Sequence, residues 1–274
     1  MGSIRVAART LFCAAILSGS CIAFGPRAED TPLTKEQIKE FLRTANVINS
    51  KTSSKGVTHP SRLTLSNGTI THDASFQTID VHKSEMKLES GVTVLNFIDS
   101  YKFNIAAYEL AELIGMDDML PVYVERKWQG HTGSLSWWLP TKMDEQERVA
   151  QKLHPPDPDA WNKQMYKVRV FDELIYDTDA NLTNILIGPD WQIWRVDFTR
   201  AFRNDKDLKT PNDLMRCERQ LLNKLKGLNG DELAAKTHNY LNKEQVQGVM
   251  ARRDKIVARF EELIKTKGDK EVLY

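Results

Sequence analysis

The sequence predicts an α+β fold with two lobes, of which the first is rich in strands and the second is almost entirely helical. Short segments of alternating apolar and polar residues, typical of half-buried strands, concentrate before residue 140. Helical periodicity dominates after residue 160, and the charged, proline-rich segment PPDPD at 155–159 separates the two parts. The 274 residues, 41% of them hydrophobic, suffice for two lobes that share a cleft.

The N-terminus is typical of a secretory signal peptide. Arg5 and Arg9 precede an apolar stretch at 11–25 that small residues interrupt. We therefore expect an exported protein, periplasmic or extracellular, with lipid anchoring at Cys21 as a less favoured alternative. No later segment is apolar for long enough to cross a bilayer, so no transmembrane segment is expected once the signal is removed.

The predicted organisation has three parts: a signal peptide at 1–25, an N-terminal lobe at 26–140 and a helical C-terminal lobe at 141–274. The 38 basic and 37 acidic residues leave a net charge of +1, so no global field favours a nucleic-acid partner. Only Cys217 lies beyond the signal, and no disulfide framework is expected.

The N-terminal lobe begins with a predicted helix at 33–45, for which Thr34 and Gln37 form a capping box. A second helix is predicted at 100–115, where Gly115 is a plausible C-cap. The dipeptide Asn67-Gly68 is a strong hairpin signal. Strands are predicted at 45–51, 62–66, 69–71, 76–83, 121–128 and 133–139.

The C-terminal lobe is predicted to be helical except for one loop and one hairpin. The segment 185–196 indicates two short strands joined by a Gly-Pro-Asp turn. Helices are predicted at 144–152, 161–176, 212–228, 231–241 and 243–267, with Asp159 as the cap of the second of them.

The most informative motif is a set of three polar residues around that hairpin. Asp179 and Asn184 are five residues apart in DANLTN, and Asp197 follows thirteen residues later. Kinase-type phosphotransferases need a carboxylate that faces the acceptor hydroxyl, and an amide and a second carboxylate that hold the metal on the nucleotide phosphates. An Asp-x4-Asn pair alone is common, but the pair, the hairpin and the second aspartate together favour this chemistry.

A purely structural interpretation of the same residues stays open. Asp179 could form a turn, Asn184 could bond the loop backbone, and Asp197 could pair with Arg195 or Arg200. The neighbouring aspartate at position 177 is interpreted as an ordinary loop residue.

Four ordered blocks between residues 57 and 203 carry a family resemblance. They are NIAAYELAELIGMDDMLPVYVER, GSLSWWLP, VFDELIYDTDANLTN and WRVDFTRAF. The chain resembles the atypical kinases of the secretory pathway, of the Golgi casein kinase type, and the resemblance extends to bacterial kinases of the persistence-toxin group. An uncharacterised bacterial kinase-like family is the expected closest match. The resemblance implies a two-lobed protein-kinase-like fold.

The resemblance also implies a role for individual residues. Asp179 would be the catalytic aspartate, and Asn184 and Asp197 would bind Mg²⁺ or Mn²⁺. Lys83, with Lys87 as an alternative, would be the strand lysine that contacts the phosphates of ATP.

Two further positions depart from the family pattern. Gly56, in the turn SSKG, would replace the glycine-rich loop over the phosphates, since no GxGxxG is present. Asn104 stands where these kinases carry a glutamate that helps to fix the nucleotide. An amide can hold a lysine or a water molecule at this position but supplies no charge.

The expected function is an exported, metal-dependent kinase that moves the γ-phosphate of ATP to a hydroxyl of an unknown protein, glycan or small-molecule acceptor. A catalytically inactive pseudokinase, acting as a nucleotide-binding or extracytoplasmic interaction module, is the alternative. An exported protein meets little ATP, which favours this alternative. The replacement of the family's glutamate by Asn104 favours it as well. Transfer of the AMP moiety is a third interpretation.

Overall fold

The computed structural model describes residues 32–52, 60–87 and 91–274, and Thr34–Tyr274 form one compact unit. The predicted signal peptide, Cys21 and Gly56 lie outside the described residues. Within the part of the chain that the structure describes, no helix is both long and apolar enough to cross a membrane.

Ten strands and eight α-helices make up the described fold. The strands are β1 (Asn46–Thr52), β2 (Ser61–Ser66), β3 (Thr71–Gln77), β4 (Asp80–Lys87), β5 (Thr93–Ser100), β6 (Tyr123–Trp128), β7 (His131–Trp137), β8 (Met143–Asp144), β9 (Ile185–Ile187) and β10 (Ile193–Arg195). The helices are α1 (Lys35–Thr44), α2 (Lys102–Ile114), α3 (Glu145–Ala150), α4 (Pro158–Ile175), α5 (Arg219–Gly227), α6 (Gly230–Thr237), α7 (Lys243–Lys267) and α8 (Asp269–Val272).

The N-terminal part is built on a five-stranded antiparallel sheet with the order β1-β2-β3-β7-β6. Helices α1 and α2 both contact β6 and β7. The capping box of α1 forms as predicted, because the Thr34 hydroxyl accepts from the Gln37 backbone and the Gln37 side chain accepts in return. Gly115 ends α2 at φ +71°, a conformation that glycine adopts without steric cost.

The predicted strand at 76–83 is wrong, and the correction bears on function. Strand β3 ends at Gln77, and β4 begins at Asp80 and pairs with β5 in a separate two-stranded hairpin. The Ser100 hydroxyl donates to the Asp80 carboxylate over 2.7 Å and holds the base of this hairpin. The apolar residues change phase within this segment, from Phe76 to Ile79 and Val81, and this shift is the mark that the break leaves in the sequence.

The C-terminal part is helical apart from the sheet β10-β9-β8, which contains the predicted hairpin. Helix α7 has the predicted bounds, whereas α5 begins at Arg219 rather than at 212 because a 3-10 helix, Pro211–Asp213, comes first. Asp157 rather than Asp159 caps α4. This is the two-lobed α+β architecture that the sequence predicts, while the lobe boundary at residue 140 stays a prediction.

Candidate active site

A cleft of about 810 Å³ lies where the five-stranded sheet faces the β9–β10 hairpin. Ser75 and Gln77 of β3 line one side, and Asn184 and Asp197 line the other. The segment after β7 closes one end of the cleft with Trp138. The centroid of the Trp138 ring lies 4.2 Å from the guanidinium carbon of Arg62. The structure therefore brings two of the three motif residues into one cavity.

Asn184 ends a 3-10 helix, Leu182–Asn184, that its own loop sequence stabilises. The side chain of Asn181 caps this helix by accepting from the backbone N–H of Thr183. The Asn184 side-chain nitrogen donates to the backbone carbonyl of Asp179 over 3.2 Å, and the Asn184 carbonyl accepts from the Val196 N–H. The nitrogen is thus directed at the loop, and the side-chain oxygen is the atom that can bind a cation.

Asp197 lies just beyond β10 in a left-handed backbone conformation, φ +59°, which aspartate tolerates better than most residues. Its Oδ1 atom is buried, with no hydrogen-bond partner among the described residues. Burial raises the pKa of this carboxyl, and the charge of Asp99 adds to the rise, while hydrogen bonds from Gln77 and Thr199 oppose it. Burying an unpartnered carboxylate oxygen is costly unless a cation pairs with it.

These two residues fit a hard divalent cation. Carboxylate and amide oxygens are the ligands that Mg²⁺ and Mn²⁺ prefer. The described residues contain no cluster of three or more His, Cys, Asp and Glu suited to a metal. A cation held by Asn184 and Asp197 would need its remaining ligands from nucleotide phosphates and water, as is usual for Mg²⁺ in phosphotransferases.

Asp179 lies beside this pair rather than among the residues that line the cavity. Its side chain is 44% exposed, and Arg200 Nη1 lies 3.3 Å from its Oδ2. Its backbone N–H donates to the Asp177 carboxylate over 2.9 Å, which fixes the turn. The carboxylate is thus paired with Arg200 and remains accessible to solvent.

Sequence reasoning missed the buried network below the loop. Asp177, interpreted as an ordinary loop residue, is fully buried and pairs with Arg195. Arg195 also lies 3.0 Å from the Asp172 carboxylate and donates to the backbone carbonyl of Asn184 over 3.3 Å. Burial raises the pKa of Asp172 to about 6, although Arg195 opposes the rise. The only sign of this network in the sequence is a charged residue, Arg195, at a position of the short strand β10 that faces the interior.

The structure does not bring Lys83 to the cleft. Lys83 is exposed on the β4–β5 hairpin, where its Nζ lies 3.6 Å from the Met86 sulfur, and Lys87 is also exposed on β4. Neither lysine lines the cavity.

Asn104 lies on α2 behind the cleft wall. Its side-chain nitrogen donates to Gln77 Oε1 over 2.7 Å and to the Ser134 hydroxyl over 3.2 Å. Its side-chain oxygen accepts from the Phe198 N–H over 2.7 Å. Asn104 therefore ties α2 both to the sheet and to the segment that follows Asp197.

Solved structures share the fold of this chain. A hydra Fam20 structure determined with sugar is 14% identical, over 90% of this chain and 93% of that chain, with a TM-score of 0.66. A Golgi casein kinase is 13% identical, over 87% of this chain and 77% of that chain, with a TM-score of 0.61. The Helicobacter pylori proinflammatory kinase CtkA is 9% identical, over 83% of this chain and 96% of that chain, with a TM-score of 0.50.

Neither the protein-family models nor the curated proteins provide a match. At these identities the structural likeness defines the fold, which is that of a two-lobed kinase. The resemblance to atypical kinases of the Golgi casein kinase type is thereby confirmed at the level of fold.

Proposed function

We propose that the cleft binds ATP with Mg²⁺ or Mn²⁺ and that the protein transfers the γ-phosphate to a hydroxyl of its acceptor. One observation carries the proposal: Asn184, bonded to the backbone of Asp179, lines the same cleft as the unpartnered Oδ1 of Asp197. Phosphoryl transfer requires an amide, a metal-binding carboxylate and a catalytic carboxylate, and the proposal gives these roles to Asn184, Asp197 and Asp179.

Each residue has a defined task in this proposal. Asn184 and Asp197 hold the cation, which neutralises charge on the phosphates. Asp179 orients the acceptor hydroxyl and accepts its proton, and Arg200 keeps that carboxylate in place. The bulk of the rate enhancement comes from positioning and electrostatic stabilisation, since phosphoryl transfer needs little covalent chemistry from the protein.

A structural neighbour supports the choice of ligand. A Golgi casein kinase with Mn/ADP bound is 13% identical over 87% of this chain, with a TM-score of 0.60. The proposal also includes export directed by residues 1–25. The acceptor is a hydroxyl on a protein, a glycan or a small molecule, and a glycan is worth testing first because the hydra Fam20 structure was determined with sugar.

A second candidate is a protein that binds the nucleotide without transferring phosphate. The burial of the neutral Asn104 at the helix position where protein kinases carry a glutamate favours this candidate. Formation of ADP from ATP by a protein shown to bind the metal–nucleotide complex would decide against it.

Thermal unfolding with ATP and Mg²⁺ or Mn²⁺ tests the proposal. A ligand at about 100 times its Kd stabilises a protein by about 2.7 kcal/mol, which raises the Tm of a domain of this size by about 5–10 °C. We expect the rise with metal and nucleotide together, and its loss in Asp197→Asn, which removes the metal-binding charge.

Asp254→Asn is the matched control, because Asp254 is an exposed aspartate on α7. It should keep the full rise in Tm. An unchanged Tm of the native protein with every metal–nucleotide combination, or a full rise in Asp197→Asn, would contradict the proposal.

A further inference from the structure

The sheet order identifies the positions of a pair of residues that matters in every protein kinase. Kinases carry a lysine on the third strand that contacts the nucleotide phosphates and pairs with a glutamate on the following helix. In this chain the third strand of the five-stranded sheet is β3, and the next helix is α2. Of the β3 side chains that line the cleft, Ser75 and Gln77, it is Gln77 that bonds α2, through Asn104.

The amide pair has a fixed direction. Asn104 uses its nitrogen on Gln77 and its oxygen on the Phe198 N–H, so both ends of its amide are engaged. Because the Gln77 oxygen accepts from Asn104, its nitrogen is the group that can donate to Asp197, and a hydrogen bond from Gln77 does oppose the rise that burial causes in the Asp197 pKa. Uncharged groups thus connect α2, β3 and the metal-binding carboxylate.

The cationic side chains that line the cleft already interact with other groups of the protein. Among the described residues these are Arg62 and Lys142. Arg62 pairs with Asp73 and covers the ring of Trp138, while Lys142 lies 5.0 Å from the centroid of the Trp191 ring. Both cationic side chains lie against aromatic rings. The group that hydrogen-bonds Asn104 and Asp197 is the uncharged Gln77.

We propose that Gln77 and Asn104 are the neutral counterpart of the kinase lysine–glutamate pair, and that the protein therefore recognises the metal complex of a nucleoside triphosphate and not the free nucleotide. With an amide where a lysine would stand, the cation at Asn184 and Asp197 balances the phosphate charge without help from a strand lysine. This inference rests on the proposed nucleotide site and adds the specificity of that site.

Equilibrium binding of ATP is the test, measured by calorimetry with Mn²⁺ and again with EDTA. We expect the native protein to bind ATP at least about 100-fold more weakly in EDTA. The variant Gln77→Lys/Asn104→Glu installs a charged pair in the same positions. It should bind ATP in EDTA at least about tenfold more tightly than the native protein, since an ammonium close to the phosphates attracts their negative charge.

A single variant adds a directional check. Gln77→Lys alone places an ammonium against Asp197 without a glutamate to hold it, so it should compete with Mn²⁺ and weaken metal-dependent binding. Gln220→Lys/Asn223→Glu makes the same two chemical changes on the exposed face of α5 and should leave ATP binding unchanged in both conditions.

The outcomes separate this inference from the proposed function. Native binding that is equally tight in Mn²⁺ and EDTA, or a double variant that gains nothing in EDTA, would overturn the inference while the nucleotide site stands. A native protein that binds no ATP with Mn²⁺ or with EDTA would overturn the proposed nucleotide site and the specificity inferred for it, even beside a double variant that binds ATP. Absence of binding in both proteins would overturn both. The native comparison decides even if the double variant does not fold.

Discussion

Replacing Arg195 with methionine will lower the free energy of unfolding by about 3–5 kcal/mol, the usual cost of removing one partner from a buried ion pair. Arg195 is 1% exposed and holds Asp172 and the fully buried Asp177. Without the guanidinium, the fully buried carboxylate of Asp177 and the half-buried carboxylate of Asp172 both lose this cation. Urea unfolding at neutral pH measures the loss directly.

The same substitution should also weaken the site, because Arg195 bonds the backbone carbonyls of Asn184 and Val196. Arg219→Met is the matched control: Arg219 pairs with Asp269 at the surface, where solvent screens the interaction, so little stability should be lost. Adding Asp177→Asn to Arg195→Met should recover part of the stability, since one unpaired carboxylate is removed. A loss in Arg195→Met no larger than that in Arg219→Met would contradict this account of the loop.

Replacing Asp179 with asparagine should reduce the rate of phosphate transfer by about 10²–10⁴-fold, the range usual for loss of a general base. The affinity for the metal–nucleotide complex should change little, because Asp179 contributes its backbone carbonyl, and not its carboxylate, to the placement of Asn184. Formation of ADP from ATP with Mg²⁺ or Mn²⁺ measures the first quantity, and calorimetry measures the second.

Asp254→Asn again provides the control. It should form ADP at the native rate and bind the metal–nucleotide complex with the native affinity. An Asp179→Asn protein that forms ADP at the native rate would remove Asp179 from the proposed catalytic role. A parallel loss of binding and rate would instead indicate that the substitution disturbs the loop that carries Asn184.

The parts of the site that lie close together in the chain could be predicted from the sequence. Asp179, Asn184 and Asp197 fall within one loop and one hairpin, so local spacing and turn residues were enough to associate them. The capping box of α1, the C-cap of α2 and the bounds of α7 were predictable for the same reason, because helix termini are encoded by neighbouring residues.

The parts that depend on tertiary register could not be predicted. The change of apolar phase between Phe76 and Ile79 does not show by itself whether a strand bulges or ends, so residues 76–83 are predicted as one strand although β3 ends at Gln77. Lys83, predicted on that strand, lies on the β4–β5 hairpin. The bond between Gln77 and Asn104 joins residues 27 positions apart. Arg195 and Asp177 are 18 residues apart, and no periodicity relates a strand residue to a loop residue.

The most direct test of the central claim is a crystal structure of the protein with Mn²⁺ and a non-hydrolysable ATP analogue, with the metal located by its anomalous scattering. The account predicts one Mn²⁺ within about 2.0–2.5 Å of the Asn184 side-chain oxygen and the Asp197 carboxylate, with phosphate oxygens completing its coordination. Metal or nucleotide bound away from these two side chains, or a cleft that stays empty at saturating ligand, would contradict it.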